Sequence, residues 1–387
     1  VPGVRRLDDV VDEAGPEGAD APDPDATIAA PADAPAPPRT AEHPHHLVDA
    51  VGEILEVTVT GGPPPKPKRR WVLPVRIVVS LAMLGLLYTR FPHFDWDDVV
   101  PSWNRGTALW LIGAALLTLL GIVVSAIRWQ QVLKAMGIHE KLNHLVPLYF
   151  AGHFVSNVLP STIGGDVLRV SRFTKRVPEA NSADTFASVV LERLTGWLVL
   201  PLITFFGFVV NPDLREQGRA SAVAAAIAGA TLAALVVVLL LADHPRLGGR
   251  FAESEGWARF VGAVHRGVAQ MRAHPAAALG VVLAGLAYQL ILVAAALMVA
   301  AALGFGWLGL TPLLAFLPAV LIAQVLPIGI SGLGVREGAF VLFLTPLGVP
   351  AEQAVALGLV LYILNLLVSL VGVPSFAVGG RRGPAPA

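Results

Sequence analysis

The sequence predicts an all-α, polytopic membrane protein with about six spans and two broken re-entrant hairpins, together forming an inverted repeat. Three observations carry this prediction. The 387 residues are 55% hydrophobic and only 14% charged, with a mean hydropathy of +0.65, far from ordinary soluble composition. The apolar residues are gathered into runs near the ~20 residues that a helix needs to cross a bilayer. A thirteen-residue pattern recurs at an offset of 167, and the spans flanking it recur with it. The chain has no Cys, which excludes a disulfide framework, a thiol nucleophile and any Cys-ligated metal.

Residues 1–70 are rich in Ala, Pro, Asp and Glu and hold 13 acidic and 7 basic side chains. They offer too little apolar surface to offset the entropy of ordering, so a disordered acidic cytoplasmic tail is expected. The opening stretch lacks an apolar run, and no signal peptide can be argued from it. His43-Pro-His-His46 reads as solvated rather than metal-binding, because Pro breaks the cluster. Gly61-Gly-Pro-Pro-Pro-Lys-Pro-Lys-Arg-Arg70 closes the tail as a basic collar. The remainder, 71–387, holds 15 acidic and 21 basic residues, so the apolar body, 71–378, is net basic. Residues 379–387 read as a short cytoplasmic tail.

Spans are expected at about 72–89, 107–127, 185–210, 221–242, 276–303 and 352–378. Stretches 145–168 and 311–347 are apolar but broken in the middle by Pro and Gly, and read as hairpins. Lys and Arg favour the cytoplasmic side of a bilayer. The collar, 128–141, 169–176, 246–272 and Arg381-Arg382 are all basic, which places both termini in the cytoplasm. The acidic, aromatic loop Phe91-Pro-His-Phe-Asp-Trp-Asp-Asp98 would face outward.

Asn157-Val-Leu-Pro-Ser-Thr-Ile-Gly-Gly-Asp-Val-Leu-Arg169 overlays Gln324-Val-Leu-Pro-Ile-Gly-Ile-Ser-Gly-Leu-Gly-Val-Arg336 without a gap. Six positions are identical, and the leading amides match. The same offset carries spans 107–127 and 185–210 onto 274–294 and 352–377, so span, hairpin and span occur twice: repeat A over about 107–210 and repeat B over about 274–377. The charge bias turns the second copy upside down, an arrangement that places a site near the midplane where the copies meet. Pro160, Gly164, Gly165, Pro327, Gly329, Gly332 and Gly334 interrupt helix and free backbone groups that must face protein or water.

Intramembrane charge costs at least ~2.5 kcal/mol on insertion scales, so ionisable residues in these segments are functional candidates. Arg169 and Arg336 occupy matching places after each break. Asp166 lies in the Gly-Gly-Asp break, where capping of a half-helix is the simplest role and holding Arg169 or touching a ligand are alternatives. Glu337 adjoins Arg336. Glu192 and Arg193 lie two turns into a span, where a buried partner is expected. Asn157 and Gln324 offer amides. Arg128-Trp129 ends an apolar run and reads as interfacial anchoring. Several motifs are decoys. Gly304-Phe-Gly-Trp-Leu-Gly309 follows an apolar span rather than a strand, His139-Glu-Lys-Leu-Asn-His144 is one residue too long for a zinc helix, and no P-loop pattern occurs. No cofactor, metal or catalytic residue is expected, and no nucleic-acid partner.

Three segments carry a resemblance: Phe154-Val-Ser-Asn-Val-Leu-Pro-Ser-Thr-Ile-Gly-Gly-Asp-Val-Leu-Arg169, Ser188-Val-Val-Leu-Glu-Arg-Leu-Thr-Gly196 and Leu326-Pro-Ile-Gly-Ile-Ser-Gly-Leu-Gly-Val-Arg-Glu337. Over roughly 75–378 the sequence resembles the lysylphosphatidylglycerol synthase transmembrane-region family, which includes the flippase domain of multiple peptide resistance factor. The resemblance implies a membrane protein of the bacterial cytoplasmic membrane that moves an anionic phospholipid or a polyprenyl-phosphate-linked sugar between leaflets. Only nine residues follow the last expected span, so the aminoacyl-transferase domain of the two-part synthase is not expected here, and neither is its enzymatic activity. On this reading a headgroup phosphate meets Arg169 and Arg336 from opposite sides, while Asp166, Glu337, Glu192 and Arg193 balance charge and Asn157 and Gln324 supply amides. The alternative is a non-transporting partner or scaffold of a glycosyltransferase or envelope-synthesis complex, docked through the acidic tail.

Overall fold

The computed structural model describes residues 78, 82–83, 85, 103–158, 164–177, 180–244, 258–325 and 332–379, all within the unit His45–Ala387. The acidic tail, nearly all of the expected span 72–89, the outward loop and both Pro-containing breaks lie outside the described residues. The described residues form helices and turns, with no strand among them.

The helices run in the order α1 (Arg105–Ala135), α2 (Leu142–Val158), α3 (Gly164–Arg176), α4 (Ser182–Val210), α5 (Arg219–Asp243), α6 (Ala258–Ala273), α7 (Pro275–Ala302), α8 (Leu310–Ala323), α9 (Val335–Leu344), α10 (Ala351–Ser369) and α11 (Val373–Gly379). Five stretches are long and apolar enough to cross a membrane: α1, α4, Arg219–Ala242 of α5, α7, and Ala351–Val378, which joins α10 to α11. They coincide with five of the expected spans. Part of the basic segment 246–272 is a helix of its own, α6, which packs on α4.

Sequence sets the helix ends where polar caps are available. Asn104 accepts the Thr107 backbone N–H at 2.9 Å and starts α1. Asn181 accepts that of Asp184 at 2.8 Å and starts α4. Each satisfies an N–H that the first turn leaves without a partner. Along α1, Leu109, Ile112, Leu116 and Leu120 are exposed at helical spacing, while Ala114, Ile122 and Ala126 are buried. The exposed stripe is a lipid-facing surface, and the small buried residues let α7 approach closely.

The described helices follow the same order in the two segments that the offset pairs. Shifting α1 to α4 by 167 residues brings their first residues within about four positions of those of α7, α8, α9 and α10. Packing follows the same relation. Helix α1 lies along α7, the first helix of each copy. Helix α4 packs on α8, and α2 packs reciprocally on α10 and α11. Such exchange is what a two-fold relation between copies produces. The expected hairpins are the pairs α2–α3 and α8–α9. The first extends past the expected residue 168, because α3 continues to Arg176 on polar, basic residues.

Close backbone contact holds these pairs together. A Cβ on Gly165 would strike the Gly152 carbonyl and the Ser156 hydroxyl, so α2 and α3 cross with their backbones touching. A Cβ on Gly207 would lie 2.6 Å from the backbone N of Ala315, which locks α4 to α8. Around that junction sits the largest apolar core, where Phe316 stacks on Phe343 at 5.3 Å and meets Phe208 edge-on at 5.8 Å. Gly207→Val is therefore expected to cost about 1–3 kcal/mol through overpacking. Gly229→Val in α5, where nothing lies within 4 Å of the added carbon, is the matched control. Thermal unfolding in detergent micelles reads both, and equal melting of the two variants would show that close packing is not what Gly207 provides.

Candidate functional site

The site is built around Glu192, which is 1% exposed on α4. An ionised carboxylate is acceptor-only and must find donors when buried. Its Oε1 accepts from Arg128 Nη2 at 2.9 Å and from the Tyr149 hydroxyl at 2.7 Å. Its Oε2 accepts from Nη1 and Nη2 of Arg169, both at 3.1 Å. These donors arrive from α1, α2 and α3, so all four helices of repeat A meet at one carboxylate. The Arg169 guanidinium lies over the Tyr149 ring at 4.3 Å and the Trp129 ring at 4.8 Å, and Arg128 lies over Tyr288 of α7 at 5.4 Å. Flat cation–aromatic stacking of this kind suits a guanidinium removed from water. Trp129 is held in turn by its indole N–H, which donates to Ser188 Oγ at 3.0 Å.

A second carboxylate extends the network toward solvent. Asp166 Oδ1 accepts from Arg169 Nη2 at 2.9 Å, from one turn away on α3. Asp166 Oδ2 accepts from Arg193 Nε at 2.5 Å and pairs with its Nη2 as well. Asp166 thus holds two arginines, with the pairing to Arg169 being one of the roles weighed for it beside capping. The Arg193 side chain remains 45% exposed.

These side chains line a cavity of about 260 Å³. Three guanidiniums (Arg128, Arg169 and Arg193) face two carboxylates (Asp166 and Glu192), one positive charge in excess. Trp197, Leu200, Leu292 and Leu321 form an apolar wall, and Gln289 and Gln324 complete the lining. Residues of repeat A therefore share the cavity with α7 and α8 of repeat B. Among the described residues, no group of three or more His, Asp or Glu stands together as a metal site would require.

Five of the eight sequence-predicted residues meet here: Asp166, Arg169, Glu192, Arg193 and Gln324. The other three do not line the cavity, which corrects the expectation that Arg169 and Arg336 approach one headgroup. Arg336 is paired locally, donating through Nε and Nη2 to Glu337 Oε1 at 3.0 and 2.6 Å and lying over the Tyr362 ring at 5.0 Å. Glu337 Oε2 accepts the Gly334 backbone N–H at 2.6 Å. The reason is in the register: Glu337 corresponds to Val170 in the first copy and Glu192 to Leu359 in the second, so each copy neutralises its arginine with a different carboxylate. Asn157 instead joins α2 to α10, its Oδ1 accepting from Asn365 Nδ2 at 2.7 Å while its Nδ2 donates to the His153 carbonyl at 2.9 Å.

The sequence reading missed Arg128, Tyr149, Tyr288 and Gln289. Arg128 and Trp129 were expected at the interface as anchors, yet they are 6% and 0% exposed. Helix α1 continues two turns beyond them to Ala135, and the buried Glu192 needs more than one cation, the signal that would have drawn Arg128 inward.

Residues 73–372 match the family described as the lysylphosphatidylglycerol synthase TM region. The chain belongs to that family. The matched segment contains α1 to α10 and every residue of the cavity. The chain is also similar to UPF0104 membrane proteins of three organisms. The one from Pyrococcus horikoshii is 25% identical over 138 residues, 35% of this chain and 40% of that protein. The one from Methanocaldococcus jannaschii is 26% identical over 130 residues, 34% of this chain and 36% of that protein. The one from Methanothermobacter thermautotrophicus is 21% identical over 156 residues, 40% of this chain and 45% of that protein. The chain thus spans less than half the length of these curated relatives. Family and spans together make it an integral, multi-pass membrane protein.

The network predicts its own fragility. Glu192→Gln leaves two buried guanidiniums facing each other without their anion, and is expected to cost about 3–5 kcal/mol, as breaking a buried ion pair does. Unfolding in detergent should show a large drop in stability, with Glu192→Asp falling between the variant and the wild type. A Glu192→Gln protein as stable as the wild type would contradict the central role assigned to this carboxylate.

Proposed function

We propose that this protein is a lipid flippase that works without ATP, moving an anionic headgroup through the cavity between its two repeats while the acyl chains stay in the bilayer. The carrying observation is the cavity itself, in which a floor with one excess positive charge faces a wall of Leu200, Leu292, Leu321 and Trp197. A headgroup needs the first and the attached chains tolerate the second. An anionic phospholipid and a polyprenyl-phosphate-linked sugar both fit this description.

Electrostatics assign the parts. An anion entering a low-dielectric site is favoured only where cations outnumber anions. Arg128 and Arg169 are held by Glu192, so their charge is positioned and stays put. Arg193, half exposed, is the guanidinium able to turn from Asp166 toward an arriving phosphate. No bond to the lipid is made or broken on this reading. The basic segments 128–141 and 169–176 support placing that end in the cytoplasm, in the cytoplasmic membrane with both termini inside.

The test is leaflet-resolved translocation of labelled anionic phospholipids and polyprenyl-phosphate sugars in proteoliposomes. Arg193→Gln is expected to slow translocation about tenfold, the worth of one charge-assisted hydrogen bond. Lys175→Gln, an exposed change outside the cavity, should have no effect. Absence of protein-dependent movement for every lipid, or unchanged movement in Arg193→Gln, would overturn the proposal.

A further inference from the structure

Helix α4 lines the cavity along one part of its length and is sealed along the next. Glu192, Gly196 and Leu200 line the cavity at successive turns. The following turns of that face hold Thr204 and Phe208, 0% and 6% exposed, and Gly207, whose backbone meets that of Ala315 on α8. Helix α8 runs the opposite way along the same contact. Its Leu321 and Gln324 line the cavity, while Ala315 and Phe316 are fully buried in the sealed part. Phe208 meets Phe316 edge-on there at 5.8 Å, and at the end of the contact Asn211 Nδ2 donates to Thr311 Oγ1 at 3.2 Å.

A proline divides the two parts in both helices. Pro201 of α4 lies between Leu200 and Thr204, and Pro318 of α8 lies between Ala315 and Leu321. Extending the pairing of Gly207 with Ala315 and of Asn211 with Thr311 brings the two prolines within one turn of each other. Proline carries no N–H, so the carbonyls of Trp197 and Leu314 lose their helical donors, and both helices bend most easily at this level. Thr204 is an independent sign of movement. Thr118, Thr174 and Thr195 each donate to the carbonyl four residues back in their own helices. Thr204 Oγ1, just past Pro201, has no hydrogen-bond partner. An unmet buried hydroxyl destabilises the state that holds it, and it gains a partner when the junction parts and admits water.

We infer that Pro201 and Pro318 are paired hinges, and that the α4–α8 junction beyond them is a gate, closed in this structure, whose opening extends the cavity to the Asn211–Thr311 end. The inference rests on the flippase reading only for what passes through: the headgroup leaves the cavity by this route. Glu192 lies before the hinge, so the charged network keeps its place while the gate moves.

The chain has no Cys, so one introduced thiol reports exposure. Thr204→Cys, a change of nearly equal size, is labelled in the full chain in detergent micelles with a small anionic methanethiosulfonate. The references are Lys134→Cys, which is exposed, and Ala126→Cys, 0% exposed in α1. A gate open about 0.1–10% of the time makes Thr204→Cys react about ten- to a thousandfold more slowly than Lys134→Cys. It should still react much faster than Ala126→Cys, which global unfolding alone exposes. Adding Pro201→Ala restores a backbone hydrogen bond that bending must break, and is expected to slow labelling at 204 about tenfold without changing it at 134. Labelling of Thr204→Cys no faster than that of Ala126→Cys, or a rate that Pro201→Ala leaves unchanged, would overturn the inference. The three single-thiol proteins decide alone if Pro201→Ala does not fold. The expected labelling without translocation of any lipid would sink the flippase reading and keep the gate, whereas translocation without such labelling would do the reverse.

Discussion

One carboxylate between two guanidiniums organises this membrane domain. Glu192 draws Arg128 from α1, Arg169 from α3 and the Tyr149 hydroxyl from α2 to a single point on α4. Charges of this kind are costly inside a bilayer unless each finds its partner, so their pairing constrains where four helices lie relative to one another. The aromatic rings of Trp129, Tyr149 and Tyr288 take the flat faces of the same guanidiniums, leaving less polar surface to desolvate. The remaining positive charge is what the cavity presents to a ligand.

The repeat explains why the site is asymmetric although the scaffold is not. Both copies use a span, a broken helix pair and a span, and both place an arginine after the break. In the first copy that arginine finds its counter-charge across a helix interface, in Glu192. In the second, Arg336 finds it in the next residue, Glu337. A local pair closes on itself and meets the Tyr362 ring of α10. A pair across helices pulls several elements together and leaves a cavity where they fail to meet. Phe316 illustrates the divergence: it corresponds to Tyr149, but with no carboxylate to address it stacks on Phe343 in the apolar core.

Small residues then decide how tightly the frame closes. In a bilayer, packing and polar contacts replace the hydrophobic drive that water supplies elsewhere. The touching backbones at Gly152 and Gly165, and at Gly207 and Ala315, are the places where α2–α3 and α4–α8 approach most closely. None of these four residues lines the cavity.

Run lengths were enough to place the five described spans, and the breaks and the offset of 167 to anticipate the order of the helices between them. These are properties of local hydropathy and backbone chemistry, and they need no knowledge of which helix touches which. The same logic marked Asp166, Arg169, Glu192, Arg193 and Gln324 as polar groups that an apolar body would have to place with care. Which of them meet was a tertiary matter. The separation of Arg336 from Arg169, the inward turn of Arg128 and the roles of Tyr149, Tyr288 and Gln289 depend on the angle and closeness of helices far apart in sequence. A charge in the membrane takes whichever partner packing brings within reach, and packing alone decided that Arg336 has its neighbour while Arg128 and Arg169 share a carboxylate 64 and 23 residues away.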